Sequence, residues 1–163
     1  MKEAIEYLKY KEIVKNKEIN AYLEKGNANL GQLGFTDHSQ AHCVQVAHQA
    51  GKILKRFGYS EHEIELAKIA GYMHDIGNIV NRVDHAQSGA VMSFRILDRL
   101  GVDPEDIADI IAAIGNHDEG TGAPVSAIAA ALILGDKSDV RYTRVRNRDF
   151  ATFDIHDRVN FSV

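Results

Sequence analysis

The chain predicts an all-α fold, a compact helical bundle of about six to seven helices. Apolar residues recur at three- and four-residue spacing through most of its length, the period of one helix face. Cap signals separate those stretches, and one segment, Ala123 to Leu134, is apolar nearly all round, as a helix buried on most sides would be. With 163 residues the chain fits a single domain that can bury its own core. It divides into a peripheral helix at 1–25, a core at 37–144 and a tail at 149–163.

From Lys2 to Glu24 the sequence is highly charged, with Ile5, Leu8, Ile13, Val14, Ile19 and Leu23 spaced for a surface helix outside the main bundle. The glycines and asparagines of "GNANLGQLG", from Gly26 to Gly34, predict a loop. Asp37 followed by Gln40 has the capping-box spacing and opens a second helix, whose apolar face runs through Val44, Ala47, Ile53 and Leu54 to a stop at Gly58. Ser60 with Glu63 repeats that signal before Leu66, Ile69, Ala70, Met73 and Ile76, and Gly77-Asn78 ends the third helix. Asp84 with Gln87 opens a fourth, carrying Val91, Phe94, Leu97 and Leu100. Asp103-Pro104 places proline at the first position of a fifth, with Ile107, Ile110, Ile111 and Ile114 on one face. The apolar sixth helix is followed directly by Asp136, and Arg141, Arg144 and Arg148 can share a face of a seventh. In the tail, Phe153, Ile155, Val159, Phe161 and Val163 stand at odd positions, a period of two that predicts a short β-strand. A lone strand needs a partner, so it either pairs with a second subunit in a homodimer or belongs to a longer chain.

Composition narrows the function. Hydrophobic residues at 45% and charged residues at 26% are the balance of a globular protein, not a disordered one. The formal charge of −4 gives no general attraction to nucleic acid or to an anionic membrane. The single Cys43 has no internal partner, no apolar run reaches the ~20 residues that span a bilayer, and no signal-peptide pattern opens the sequence. A cytoplasmic location is the expectation.

Eight histidines are the compositional outlier. His-Asp occurs three times, at His74-Asp75, His117-Asp118 and His156-Asp157, so the dipeptide alone singles out nothing. Position does: His42 lies in the first turns of the second helix, His74 and Asp75 close the third, His85 opens the fourth, His117 follows the fifth and Asp136 follows the sixth. Helix ends are where side chains of different helices converge, and an imidazole and carboxylate set suits iron, manganese, zinc or a similar ion. A carboxylate ending a buried apolar helix is costly unless paired or ligated. His38, four residues before His42, fits a supporting or capping role. His48 and His62 read as surface or packing residues, His156-Asp157 as solvent-facing, and Cys43 as a buried thiol. Asp118 and Glu119 either support His117 or form a solvated turn. Lys137, Arg141 and Arg144 follow Asp136 closely enough to reach a bound phosphate or to form a solvated face.

The stretches "HCVQVA" from His42, "GYMHDIG", "DHAQSGA", "GNHDE" and "LILGDKSD" resemble, in order, the motifs of the HD superfamily of metal-dependent phosphohydrolases, an all-helical family. The resemblance covers roughly 37–144. It implies a divalent transition metal, one or two ions, iron or manganese ahead of zinc, nickel, cobalt or magnesium. It implies His42, His74, Asp75 and Asp136 as ligands, with His85 and His117 matching positions used by two-metal subgroups. In those subgroups the Asp75 position bridges the ions and a hydroxide between them attacks phosphorus. With one ion, His85 and His117 would instead contact or protonate the phosphate, so the resemblance makes Asp75, His85 and His117 the catalytic set. The implied reaction is hydrolysis of a phosphomonoester or phosphodiester, of nucleotide type. The alternative is a metal-containing regulatory module that binds a nucleotide with little or no turnover. The chain departs from many two-metal members in carrying Asn78 where they have lysine, and it lacks the Gly-Tyr-Pro signature of cyclic-dinucleotide phosphodiesterases. It is closer to small bacterial enzymes that cleave dinucleoside polyphosphates. Asn78, Lys137 and Arg141 are the candidate substrate contacts.

Overall fold

Two helices at the centre set the frame. Helix α3 (Gln40–Arg56) packs along α4 (Glu61–Met73), and α7 (Ala127–Ser138) lies against both. A computed structural model of the chain describes residues 8–163. Around the centre stand α1 (Tyr10–Ile13), α2 (Lys17–Gln32), α5 (His85–Arg99), α6 (Pro104–Gly115) and α8 (Ile155–Phe161), with one-turn 3-10 helices at Ile76–Ile79, Tyr142–Arg144 and Phe150–Thr152. The fold is all-helical among the described residues, and no helix there is long and apolar enough to cross a membrane.

Much of the core comes from the faces that the apolar spacing marks, but α5 is turned from its expected face: Val91, Phe94 and Leu100 are exposed, and Ala86, Ile96 and Leu97 are buried. Val46, Ala50 and Leu54 of α3, Ile69 and Met73 of α4, Ile110 and Ile114 of α6 and Leu132 of α7 are all buried in one cluster. Helix α3 approaches α4 closely because α4 carries Gly71. A Cβ on Gly71 would lie 2.7 Å from the Ala47 Cα, a distance that side chains do not tolerate. That approach sets the start of α3 beside the end of α4.

Several boundaries differ from expectation. The helix expected over 2–24 is two helices where it is described, with residues 1–7 outside the described residues. Asn16 breaks it, its side-chain oxygen accepting from the amides of Glu18 (2.9 Å) and Ile19 (3.2 Å) as the N-cap of α2. The segment "GNANLGQ" is helix, not loop. Leu30 is buried, and Gly26 sits where a Cβ would come 3.0 Å from the Ile79 amide nitrogen, so the helix packs its small residue against the turn after Asp75. Helix α3 starts after Ser39. Asp37 accepts from the Ser39 amide and hydroxyl and pairs with Arg146, so it makes no capping box with Gln40. Asp84 precedes α5 in a left-handed conformation (φ 56°) and makes no side-chain cap. The capping box of Ser60 and Glu63 and the N-terminal Pro104 of α6 stand where the sequence puts them.

The tail is helical, not a strand. Asp154 caps α8 by accepting from the Asp157 amide (2.8 Å), and Asp157 reaches back to the Asp154 amide (3.3 Å). Of the alternating residues only Phe153 and Phe161 join a small aromatic cluster, packing with Phe150 and Tyr142 at ring separations of 4.9–5.6 Å, while Ile155, Val159 and Val163 are exposed. A homodimer through that strand loses its basis. The arginines expected on a seventh helix share none: Arg144 ends the one-turn helix Tyr142–Arg144, and Arg141 and Arg148 lie outside it. Arg144 turns inward to donate to the carbonyls of Asp37 (2.9 Å) and Asp139 (2.7 Å).

Candidate metal centre

Five helix ends meet at one point, and the local sequence explains why each does. His42 lies in the first turn of α3. His74 is the C-cap of α4, and Asp75 begins the tight 3-10 turn that follows. His85 is the first residue of α5, His117 lies two residues past α6, and Asp136 lies inside the last turn of α7 rather than after it. Gly77 makes the junction between Asp75 and α5 possible. A Cβ there would lie 2.0 Å from the His85 carbonyl oxygen, so only glycine lets the turn sit on the start of that helix.

The four imidazoles share one orientation. Each uses Nδ1 to bond outward: His42 to Asp139 Oδ2 (2.7 Å), His74 to the Gly71 carbonyl (2.8 Å), His85 to the Arg82 carbonyl (3.0 Å) and His117 to the Ile114 carbonyl (2.6 Å). Carbonyls and carboxylates only accept, so each Nδ1 carries the hydrogen and each Nε2 turns a lone pair inward. These lone pairs meet acceptors. His42 Nε2 lies 3.2 Å from Asp136 Oδ1 and 3.6 Å from Asp75 Oδ2, and His74 Nε2 lies 3.2 Å from Asp75 Oδ2 and 3.7 Å from Asp136 Oδ1. His85 Nε2 is 3.6 Å from Asp75 Oδ1 and 3.2 Å from His117 Nε2. His42 Nε2 and Asp75 Oδ2 are buried without a hydrogen-bond partner, and such an atom costs ~1–3 kcal/mol when left so. Acceptors that face one another this closely, with donors reaching them only from Asn78, Arg82 and Lys137 around them, make a cation site by their chemistry. The ligand atoms of His42, His74 and Asp136 fall within 4.8 Å of one another, as do those of His74, Asp75 and His117.

Electrostatics agree with that reading. Burial works to raise the carboxyls of Asp75 and Asp136, but neighbouring imidazoles, His74 above all for Asp75 and His42 for Asp136, hold both well below the usual range, so both are ionised. Burial and the nearby His74 push His117 down to about 4, which keeps it neutral and able to ligate at pH 7. His85 is likewise lowered by burial. His74 goes the other way: burial lowers it, but Asp75 and Asp136 outweigh burial and raise it. Without an ion, the two carboxylates thus draw a proton to the place between them.

The structure brings His42, His74, Asp75, His85, His117 and Asp136 together and treats the three candidate substrate contacts differently. Asn78 is buried, with its amide donating to Asp75 Oδ1 (2.8 Å). Lys137 reaches the mouth of the site but pairs with Asp136 Oδ2 (2.9 Å) and Glu119. Arg141 turns away onto both oxygens of Asp139 (2.6 and 2.9 Å). His156 belongs to the site's surroundings after all. It lines a cavity of about 300 Å³ that opens over Asp75 and Asp136, and it pairs with Glu119 at 3.2 Å. His38, too, lines that cavity, its Nδ1 on the Thr36 carbonyl (2.7 Å).

Two residues escaped the sequence reading. Asp139, held low by hydrogen bonds from His42 and Arg141 that outweigh its burial, fixes the His42 ring. Its spacing of three from Asp136 at a helix end was the available signal. Arg82 gave none, because its place depends on how the loop before α5 folds.

The chain is similar to known proteins. The family model for the HD domain matches residues 40–157. An uncharacterised protein of Methanocaldococcus jannaschii is 29% identical over 160 residues, covering 84% of this chain and 61% of that protein. Ribonuclease Y of Bacillus pumilus is 32% identical over 111 residues, covering 66% of this chain and 20% of that protein. A solved structure described as a predicted HD superfamily hydrolase, from an uncultured Thermotogales bacterium, superposes with a TM-score of 0.58 at 26% identity, over 74% of this chain and 66% of that one. The chain thus spans about three fifths of one curated relative and one fifth of the other. Since the matched region runs from the first turn of α3 into α8 and takes in the whole ring of inward-facing acceptors, the chain belongs to the HD domain family.

Proposed function

We propose that the chain is a metal-dependent phosphohydrolase acting on a phosphomonoester or phosphodiester, of nucleotide type. The observation that carries this reading is the convergence of four Nε2 lone pairs on two ionised carboxylates. His42, His74, Asp75 and Asp136 would hold one ion, and Asp75, His85 and His117 a second. The two oxygens of Asp75 face different histidines, Oδ2 toward His42 and His74 and Oδ1 toward His85, which suits a bridging role. The nitrogen and oxygen donor set, without sulfur, fits iron or manganese. A divalent ion there supplies polarisation of a phosphoryl oxygen and lowers the pKa of a water to ~7.

The residues around the ligands do the rest. Asp139 and the outward carbonyls keep the rings aimed, and Lys137 places an ammonium at the mouth, where it can shift from Glu119 to an incoming phosphate. The cavity, at about 300 Å³, is of small-molecule size. Similarity to Ribonuclease Y, a nuclease by name, supports including phosphodiesters. The free buried thiol of Cys43 fits a reducing cytoplasm.

The test combines metal analysis of protein purified without chelator with assays in manganese or ferrous iron against nucleotide mono- and diesters. Bound metal and hydrolysis are expected, read as inorganic phosphate from monoesters and as a monoester product from diesters, and Asp75→Ala should lose both. Full hydrolysis by Asp75→Ala would overturn the reading, and ligand binding without hydrolysis would favour the regulatory module.

A further inference from the structure

Asn78 leaves the site short of a positive charge where a phosphate must be held, and it cannot move to help. It is buried, uncharged and tied to Asp75. The cations near the cavity differ in how much of their bonding is already spent. Arg141 is forked onto Asp139, Lys137 is held between Asp136 and Glu119, and Arg144 donates to two backbone carbonyls beside Asp139. None of these is free without breaking an ion pair or a structural bond.

Arg82 is the exception. It lines the cavity four residues beyond Asn78, its side chain 20% exposed. Its Nη1 alone is engaged, and loosely: 3.4 Å to Asn78 Oδ1, 3.3 Å to His85 Nε2 and 3.9 Å to Asp75 Oδ1. Nε and Nη2 bond nothing among the described residues. A guanidinium has five donors in a planar fork that matches two oxygens of a phosphate, so most of this fork remains to be used. An ion taken by His85 would displace the Nη1 contact to that ring and loosen the one engaged nitrogen of the fork.

We propose that Arg82 is the residue that grips the substrate's phosphoryl oxygens, supplying beside Asp75 the charge that Asn78 lacks. Asn78 serves as its guide, donating to Asp75 on one side and accepting from Arg82 on the other. The proposal rests on the phosphohydrolase reading above and names a residue of its substrate site. It also confines the recognised group to a phosphate with at least two accessible non-bridging oxygens, because a fork bound through one oxygen loses its geometric advantage.

The experiment is calorimetric titration of inorganic phosphate into the metal-loaded protein, with metal content measured on the same samples. The variants are Arg82→Ala and Arg82→Lys. Arg82→Ala is expected to weaken phosphate binding on the order of tenfold to a hundredfold, as loss of a charge-assisted bond does, with metal content and melting temperature unchanged. Arg82→Lys should recover part of the loss, because it restores charge without the fork. Unchanged phosphate affinity in Arg82→Ala would overturn the role of Arg82 while leaving the phosphohydrolase reading intact. Loss of metal along with phosphate would overturn it too, by making Arg82 a support for the ligands. A wild-type protein that holds metal yet binds no phosphate would remove both proposals.

Discussion

His42 shows what a single outward bond does for the site. Its Nδ1 donates to Asp139, so its tautomer is fixed and its lone pair faces Asp136. Asp139→Asn keeps the shape but offers a neutral oxygen that can also flip to present its amide, and partners of this kind are worth ~10–100-fold in metal affinity. Asp139→Asn should therefore lower metal affinity by about that factor, measured by competition with a chromophoric chelator, with helicity unchanged by circular dichroism. Affinity equal to wild type would mean that the backbone-anchored histidines suffice. The inward-facing residues were legible in the sequence because each occupies a helix end with an apolar stripe leading to it. Asp139 was hinted at only by its spacing from Asp136, and Arg82 not at all, because where their side chains point depends on how the chain turns beyond the helix ends.

At the scale of elements, glycine decides where helices may touch. Gly71 lets α4 lie against the Ala47 backbone, so Gly71→Ala forces α3 and α4 apart just where His42 and His74 must face each other. The added methyl group should cost about 1–3 kcal/mol, as overpacking does, read as a lower urea midpoint with an unchanged slope. It should also weaken metal binding. Alanine at the exposed N-cap Ser60 serves as a comparison. It should cost about 1 kcal/mol through the lost bond to the Glu63 amide while leaving metal binding alone, since the cap lies at the other end of α4 from His74. The same logic explains the misread elements. "GNANLGQ" carries loop residues but is helical because Gly26 and Leu30 gain tertiary contacts, and the tail is helical because the Asp154–Asp157 capping box starts α8 and Phe153 and Phe161 pack with Phe150. Local composition reports propensity; the packing that overrides it lies elsewhere in the chain.

For the whole molecule, the ring of acceptors ties stability to metal and to pH. An ion that binds only the folded state at a free concentration a hundredfold above its Kd stabilises by about 2.7 kcal/mol, so chelation should lower the melting temperature, and manganese should restore it. In the chelated protein the titrating groups pull in two directions. His117 takes up a proton only near pH 4 when folded, but near ~6.5 when unfolded, so between those values the unfolded chain binds more protons and stability falls as pH drops. The depressed carboxyls of Asp75 and Asp136 act in the same sense at lower pH, their contribution present above an unfolded pKa of ~4 and lost as pH falls toward their folded values. His74, raised by Asp75 and Asp136, works oppositely: its contribution is full below ~6.5 and is lost as pH rises through its folded value. A scan of the wild type alone mixes these effects, and a difference between proteins separates them. Chelated His117→Gln lacks the imidazole that must stay neutral, so its urea midpoint should fall less than the wild type's between pH 6.5 and pH 4.5. Equal falls would mean that His117 takes up its proton in the folded chain as readily as in the unfolded one, and that the neutral, inward-facing ring is not what keeps the site ready for an ion.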